Sequence, residues 1–470
     1  MMKKPTLLIL FAAAALLASC FRTPERIELT VNGETYSIDL ADQTAVDLLT
    51  LSTEFDAEVA VANYSQFDRL SVGGVPLQQG EATVPMDFLG KDAFLALEWG
   101  SHHASGRILL RTLPVDVPDA IVTGRADSPG DFYLSYVFLR LIQKYDNAGN
   151  LIYFRFEPRT VRGGDDSSGW WDFKKHTVDD RTYYSYHAPD TAFADRSFLG
   201  YNPGKRVLLD DRYRPLGEIH LLADATGRIH DGDPIDGHDF YLFDLEHYIV
   251  SAYIEQDGVY ALYLQEVQDG KVVFDWWSTD HPELAEWLDP ALAELAEKDY
   301  VHFNSIDILP DGNWLCSLRH VSSLVKIDRV GGTGDILWRI AGAEQPAAYA
   351  FCGQHCARWH GDGTISLFDN GNGNGVTRLL WLVVDPETGT VSDGGNLLAE
   401  TYPAYFSQAC GSLTFSGDHF IAGWGIPGPS GAVDRVVTEY DAAGNEVFGI
   451  RRDMETLRKG FVATYRCVKE

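Results

Sequence analysis

Apolar and polar residues alternate with a period of two along most of this 470-residue chain, the spacing of strands that bury one face. The apolar runs are short and are separated by Gly, Asp and Asn, so the pattern predicts an all-β protein. One stretch reads as a helix, Glu283 to Lys298, and Pro290 interrupts it. Near the N-terminal end, the run from Arg26 to Leu40 alternates about Asn32-Gly33, a strong hairpin signal. Runs beginning at Ala93 and Arg107 continue the same pattern. Together they predict a small N-terminal β-sandwich over residues 20–120, which ends in the proline-containing stretch Leu113 to Asp119. Farther on, an Asp- or Gly-containing turn precedes an apolar strand at places marked by Gly149, Gly227, Gly270, Gly334, Gly389 and Gly444. A second series of turns starts at Pro310, His360 and Ser416. One blade of a β-propeller takes about 40–50 residues. Residues 121–470 are therefore expected to form a six-bladed β-propeller, with insertions at 160–190 and 279–300; a stacked array of β-sandwiches is the competing arrangement.

Residues 1–19 break the alternation. Met1-Met2-Lys3-Lys4 is basic, and Leu7 to Leu17 carries no charge. That run is shorter than the ~20 apolar residues a membrane span needs, but it suits a signal segment. Leu17-Ala18-Ser19-Cys20 follows, small residues before a cysteine. The expectation is a lipoprotein signal peptide over 1–19 and a lipid-modified Cys20. This would be an exported lipoprotein, periplasmic or anchored in the outer membrane, and its membrane partner would be met through the N-terminal lipid. An ordinary secretory signal is the alternative.

The formal net charge is −30, and −32 without Lys3 and Lys4. Such a chain is repelled by nucleic acid, so no nucleic-acid partner is expected. An anionic substrate would need a local cationic pocket. After Cys20 come Cys316, Cys352, Cys356, Cys410 and Cys467. The Cys352-x-x-x-Cys356 spacing allows a local disulfide or half of a metal site; no second such pair exists, so no metal is expected.

Of the 14 histidines, His102, His103, His176 and His281 sit in polar stretches and read as surface residues, and His247 and His419 read as hairpin turns. Four other places set a cationic or nucleophilic side chain at a strand end. They are Gly237-His238-Asp239; His302 and Asn304 within Asp299 to Ile306; Cys316 to His320, which returns Arg319 towards His302; and Gly353-Gln354-His355-Cys356, followed by Gly363 to Gly371. Arginine offers a planar fork to a tetrahedral oxyanion, and a neutral imidazole is a nucleophile. The residues leave open a sulfate- or phosphate-handling enzyme, a metal-dependent hydrolase using His238, Asp239, His302 and His355, and a propeller that only binds sulfated or phenolic ligands. Arginine in the same pocket argues against a dication. No phosphate-binding Gly-x-x-x-x-Gly-Lys-Ser/Thr loop and no Gly-x-Ser-x-Gly elbow occurs.

The series Asp299-Tyr-x-His302-x-Asn304-Ser305-Ile306, Ser317-x-Arg319-His320, Gly353-Gln354-His355 and Leu367-Phe368-Asp369-Asn370-Gly371, with His238-Asp239-Phe240, resembles the motifs of the bacterial arylsulfate sulfotransferases. The closing segment from Cys410 through Trp424 to Arg466 is similar to that family's last blade. The resemblance covers about 230–467. It implies a six-bladed propeller behind an N-terminal β-sandwich. It also implies transfer of a sulfuryl group from an aryl sulfate donor to a phenolic acceptor, in ping-pong fashion and with no cofactor or nucleotide. His355 would be the nucleophile. Arg319 and His302 would hold the sulfate oxygens, and His238 would bind sulfate or assist the phenol oxygen. Asn304 and His320 would contact substrate, with Asn304 also suited to orienting its neighbours. Gln354 and Asp369 are expected to be structural. Cys356 stands where the family usually shows an acidic residue.

Overall fold

The computed structural model describes residues 23–470 except 42–44, 88, 159–168, 197–199, 257, 297, 399–404, 429–434 and 453–462. The expected signal peptide and Cys20 lie outside the described residues. The chain is all-β, as the alternation predicts, and divides into two compact units: residues 1–117 with 151–157, and residues 118–150 with 158–470.

The first unit contains a four-stranded sheet in the order Glu34–Asp39, Arg26–Val31, Ala57–Val61, Glu81–Val84. Its second sheet runs Val46–Asp47, Ser105–Arg111, Phe94–Gly100, Arg69–Val72, Val75–Pro76. Asn32 (φ 49°) and Gly33 (φ 87°) make the expected hairpin turn and set Val31 opposite Glu34. Strand Leu151–Phe156 belongs to this unit and pairs with Thr50–Ser52, and Arg155 there reaches Glu34 at 2.6 Å.

The second unit contains four consecutive antiparallel meanders. They are Trp171–Val178, Arg181–Pro189, Gly204–Leu209, Pro215–Ile219; Tyr241–Asp244, His247–Gln256, Val259–Gln268, Lys271–Trp277; Phe303–Ile308, Trp314–Leu318, Ser323–Ile327, Ile336–Ala341; and His355–His360, Thr364–Asp369, Arg378–Val384, Val391–Asn396. A fifth sheet, Ser412–Ser416 to Glu446–Arg451, gains Ile121–Gly124 at its edge. Near the C-terminus, Thr464–Lys469 pairs with Phe132–Tyr136, which pairs with Leu141–Tyr145. Apolar residues fill the spaces between successive sheets: Tyr253, Trp276 and Leu262 meet Phe303 and Trp314, and Leu315 and Leu324 meet Ile365 and Leu380.

Gly270, Gly334, Gly389 and Gly444 take the left-handed turn between the last two strands of their sheets, at φ 69° to 81°. Gly227 does not; it lies in the loop after its sheet, where Tyr213 (φ 61°) makes the corresponding turn. The insertion expected at 160–190 is instead, from Trp171 on, a hairpin. Asp179 and Asp180 (φ 48° and 60°) form its two-residue turn, one that tolerates Asp as well as Gly. The expected helix is reduced to one turn, Glu283–Glu286. Pro290 has no N–H to give, the Asp289 N–H goes to the His320 carbonyl, and the Asp289 carboxylate takes the Ala291 N–H.

Buried polar side chains cluster at the starts of the first strands of these meanders, and Phe303–Ile308 and His355–His360 are joined by side chains rather than by a ladder. Asn304 Oδ1 and Ser305 Oγ accept from the N–H groups of Cys356 and Ala357 (3.1 and 2.9 Å), and Asp239 Oδ2 accepts from Ile306 N (3.0 Å). Beneath them lies an ion network. Asp239 meets Lys174 (2.7 Å), Arg358 (2.8 Å) and Arg466 (3.0 Å); Asp172 meets Arg466 (2.5 Å), Lys174 (3.0 Å) and Arg206. Burial opposes charge on both carboxylates. The surrounding cations outweigh it and hold Asp239 well below the usual carboxylate range.

Asp239→Asn leaves buried cations without a counter-charge and should cost ~3–5 kcal/mol of folding free energy at pH 7. A depressed carboxyl stabilises above its unfolded value of ~4 and stops doing so as pH falls through the lower folded value. In urea unfolding, the gap between wild type and variant should therefore be full at pH 7 and narrow below pH ~4. A gap independent of pH would contradict this account.

Candidate active site

The strand ends that hold the network also bring the predicted histidines together. His238 precedes strand Tyr241–Asp244, and His302 precedes Phe303–Ile308. Arg319 and His320 follow Trp314–Leu318, and their N–H groups bond the carbonyls of His302 (2.8 Å) and Val301 (3.0 Å). The expected return of Arg319 to His302 is thus made by the backbone. His355 opens strand His355–His360. The ring centre of His302 lies 4.9 Å from that of His238, 4.5 Å from His320 and 6.4 Å from His355. All four rings are buried.

The rings of His355, His238 and His302 are each anchored at Nδ1. His355 Nδ1 lies 2.7 Å from Asn370 Oδ1, and Asn370 Nδ2 donates to the carbonyls of Ser407 and Cys410. That leaves Asn370 Oδ1 as an acceptor, so His355 carries its proton on Nδ1. Its Nε2 keeps the lone pair, towards which the Cys410 N–H points at 3.3 Å. Burial, then the Arg319 charge, hold this imidazole well below the ordinary histidine range. His238 Nδ1 faces Asp236 (2.8 Å), and His302 Nδ1 faces Asp299 (2.7 Å). Asp236 Oδ2 also takes the His238 N–H (3.0 Å), and Asp299 Oδ1 takes the His302 N–H (2.8 Å).

Arg319 is 4% exposed. It donates to His320 Nε2 (2.8 Å) and to the Gln408 carbonyl (3.0 Å), and its Nε has no partner. No carboxylate pairs with it among the described residues. Beside His238, the indole of Trp171 stacks on the Tyr465 ring (4.7 Å, 4°), and the Tyr465 hydroxyl donates to the His238 carbonyl (2.7 Å).

Several expected roles change. Asn304, expected to contact substrate and also suited to orienting its neighbours, takes the second use: its carboxamide bonds the Gln354 carbonyl (2.8 Å) and the Cys356 N–H and so positions the His355 strand. His320 has both nitrogens engaged, Nδ1 at the Asp299 carbonyl and Nε2 at Arg319, and orients the guanidinium rather than a substrate. Gln354 bonds Ser317, Leu318 and Ser323. Asp369 bonds Cys352 N, Gly371 N and Arg378, which is structural use. Cys352 and Cys356 are both free thiols. The Cys352 thiol turns to Asp289 (3.4 Å), whereas Cys356 is buried where its sulfur feels Arg358 and Arg466, so the two do not meet. Asp239, one of the four residues named for a metal-dependent hydrolase, is occupied by three cations. His176, read as a surface residue, sits on a strand bonded to Ser185, and burial pushes it down to about 3.

Asp236, Asp299, Asn370, Trp171 and Tyr465 were assigned no role from sequence. The spacings Asp236-x-His238 and Asp299-x-x-His302 were the available signals for the two carboxylates.

Two outcomes follow from this geometry. His355 should show no imidazolium signature in nitrogen NMR down to pH 5.5; a titration near the ordinary 6.5 would refute the buried neutral ring. Gly200 (φ 92°) faces His302, and an added Cβ would lie 2.2 Å from its Cε1. Gly200→Ala should therefore displace that ring and lower turnover by roughly 10²-fold, measured beside a thermal melt that separates lost activity from lost fold.

Residues 251–453 match the family model described as Arylsulfotransferase (ASST). No curated protein matches. Among solved structures, a protein of unknown function from Bacteroides caccae aligns with a TM-score of 0.44 and 11% identity, over 72% of this chain and 98% of that one. Virginiamycin B lyase from Staphylococcus aureus aligns with a TM-score of 0.34 and 8% identity, over 91% and 100%. A putative 6-phosphogluconolactonase from Bacteroides fragilis aligns with a TM-score of 0.37 and 10% identity, over 80% and 93%. The family match spans the strands that carry His302, Arg319 and His355, and over residues 251–453 the chain is similar to the arylsulfotransferase family.

Proposed function

We propose that this protein is an arylsulfate sulfotransferase that needs no nucleotide donor. It moves a sulfuryl group from a phenolic sulfate ester to a phenolic acceptor, in ping-pong fashion, through sulfohistidine at His355. The observation that carries this reading is Arg319. A buried guanidinium with no carboxylate partner and an unpartnered Nε, set among His238, His302 and His355, is a site for an oxyanion. In a chain of net charge −30, such a local cation has to be built deliberately.

The chemistry follows from the hydrogen bonds. His355 Nε2 attacks the ester sulfur. The sulfur–aryl oxygen bond breaks, and its electron pair leaves on the phenolate oxygen. Asn370 keeps the Nδ1 proton in place while the N–S bond exists. The acceptor phenol oxygen then attacks the same sulfur, and the N–S pair returns to Nε2. Arg319 neutralises the sulfuryl oxygens in both steps, the kind of preorganised charge that lowers such barriers most. The stacked rings of Trp171 and Tyr465 beside His238 supply an apolar surface next to the cationic one, which suits an aryl ester.

The reading includes the setting. The meanders are taken as blades of a six-bladed propeller whose first strands line the site. The chain is taken as an exported lipoprotein anchored through Cys20, where ester donors rather than nucleotide donors are met. Membrane fractionation with a Cys20→Ser control tests the anchor.

With 4-nitrophenyl sulfate and phenol, the wild type should release nitrophenol and form phenyl sulfate. A donor-only burst should leave a sulfuryl adduct in the intact mass. His355→Ala should abolish both, and Arg319→Lys should slow turnover ~10²–10³-fold. Ligand binding without any release of nitrophenol would mean a binding protein instead.

A further inference from the structure

Besides His320, which bonds Arg319 directly, the three other histidines of the cluster differ in what stands behind them. His355 is backed by a neutral carboxamide, Asn370, whereas His302 and His238 are backed by the buried carboxylates of Asp299 and Asp236. A carboxamide can only fix a ring. A carboxylate fixes the ring and also stabilises it when it takes up a proton. Asp299 does both jobs closely: one oxygen takes the His302 N–H and the other takes Nδ1–H, with the residue 2% exposed. His302 Nε2 has no partner among the described residues.

We propose, resting on the transferase reading above, that Asp299 is a positioning residue that makes His302 the proton carrier of the reaction. Asp299 holds the Nδ1–H tautomer, so Nε2 faces the site as an acceptor. When the acceptor phenol attacks sulfur, its O–H bond breaks and the proton passes to His302 Nε2. The oxygen–sulfur bond forms, and the electron pair of the N–S bond returns to His355. The proton stays on the His302–Asp299 pair and goes to the phenolate oxygen that departs from the next donor. Over one cycle an aryl sulfate and a phenol exchange, with no proton gained or lost.

The surroundings set the balance. His302 is faced by His320, His238, Arg319 and His355; with burial as the largest cause, they hold its ring well below the usual range. Asp299 is faced by His238, Asp236 and the phenol of Tyr253, and burial pushes it up to about 7. The cationic side discourages an imidazolium and the buried carboxyl accepts a proton readily. The pair therefore exchanges one proton near neutrality, wherever along the bond that proton rests.

Asp299→Asn is the test. The carboxamide oxygen keeps the His302 N–H, and the amide nitrogen then donates to Nδ1, which turns the proton of His302 to Nε2. Nitrophenol release from 4-nitrophenyl sulfate in the first half-reaction should be nearly unchanged, because nitrophenolate leaves without help. Turnover with phenol should fall ~10²–10⁴-fold. Turnover with pentafluorophenol, already ionised, should recover most of that loss. In nitrogen NMR above pH 8, His302 should be the Nδ1–H tautomer in wild type and the Nε2–H tautomer in the variant. Equal losses in both half-reactions, or with both acceptors, would reduce Asp299 to scaffolding. An Nε2–H tautomer in wild type would overturn the proposal even if the variant failed to fold. No nitrophenol release from wild type would overturn the transferase reading and this proposal together, whereas release with an unaltered tautomer would overturn this proposal alone.

Discussion

Charge buried beneath the first strands of the sheets governs how the site is made. Asp172 and Asp239 are enclosed by Lys174, Arg206, Arg358 and Arg466. A buried charge is tolerated only when paired and hydrogen-bonded, so strands from separate sheets have to converge on these two carboxylates. Neighbouring side chains alternate in direction where the backbone is extended, and at the left-handed Asp172 (φ 51°) the residue beside the network is likewise carried to the site. Trp171 stands beside Asp172, His238 beside Asp239, and Tyr465 beside Arg466. One member of each pair enters the network, and the other enters the cluster of rings around His302. The ion network therefore places the side chains of the candidate site without itself lining it.

That alternation explains what was legible in the sequence. Period-two patterning and the turn glycines mark strands because both are local, and they identified the all-β class and most of the hairpins. His238, His302, Arg319 and His355 could be picked out because each stands at one end of a strand, beside a turn. The hairpin at Asp179-Asp180 was missed because two aspartates adopted the conformation that was sought in glycine. The helix over 283–298 was overread because periodicity says nothing of where the Asp289 N–H would find its acceptor, which is the carbonyl of His320.

The use of His320, and which of its two expected uses Asn304 takes, were not legible for a different reason. Both lie on the motif face, and their types suit substrate contact. What decides their use is which backbone groups of other strands lie within reach. Asn304 meets the strand of His355 across a sequence separation of about fifty residues, and His320 is met by the guanidinium of its own neighbour. Donor and acceptor satisfaction is a property of the assembled strands, so residue type alone assigns the wrong partner.

The electrostatics of the site then follow from what is left unpaired. Arg319 keeps its charge in a buried place with no carboxylate paired to it among the described residues, and burial together with that charge keeps His320 and His355 neutral. A site holding several imidazolium ions next to a guanidinium would repel itself and would have no lone pair to offer. One fixed cation with neutral rings around it does the opposite: it attracts an oxyanion and leaves a nitrogen lone pair on His355 to react with it. Among the described residues, carboxylates stand behind His238 and His302, at Nδ1, where they can steady a proton without pairing with Arg319. The same low-polarity surroundings that make an anion welcome therefore keep the His355 imidazole unprotonated, so that, on the proposed transferase reading, binding and reactivity come from a single arrangement of charge.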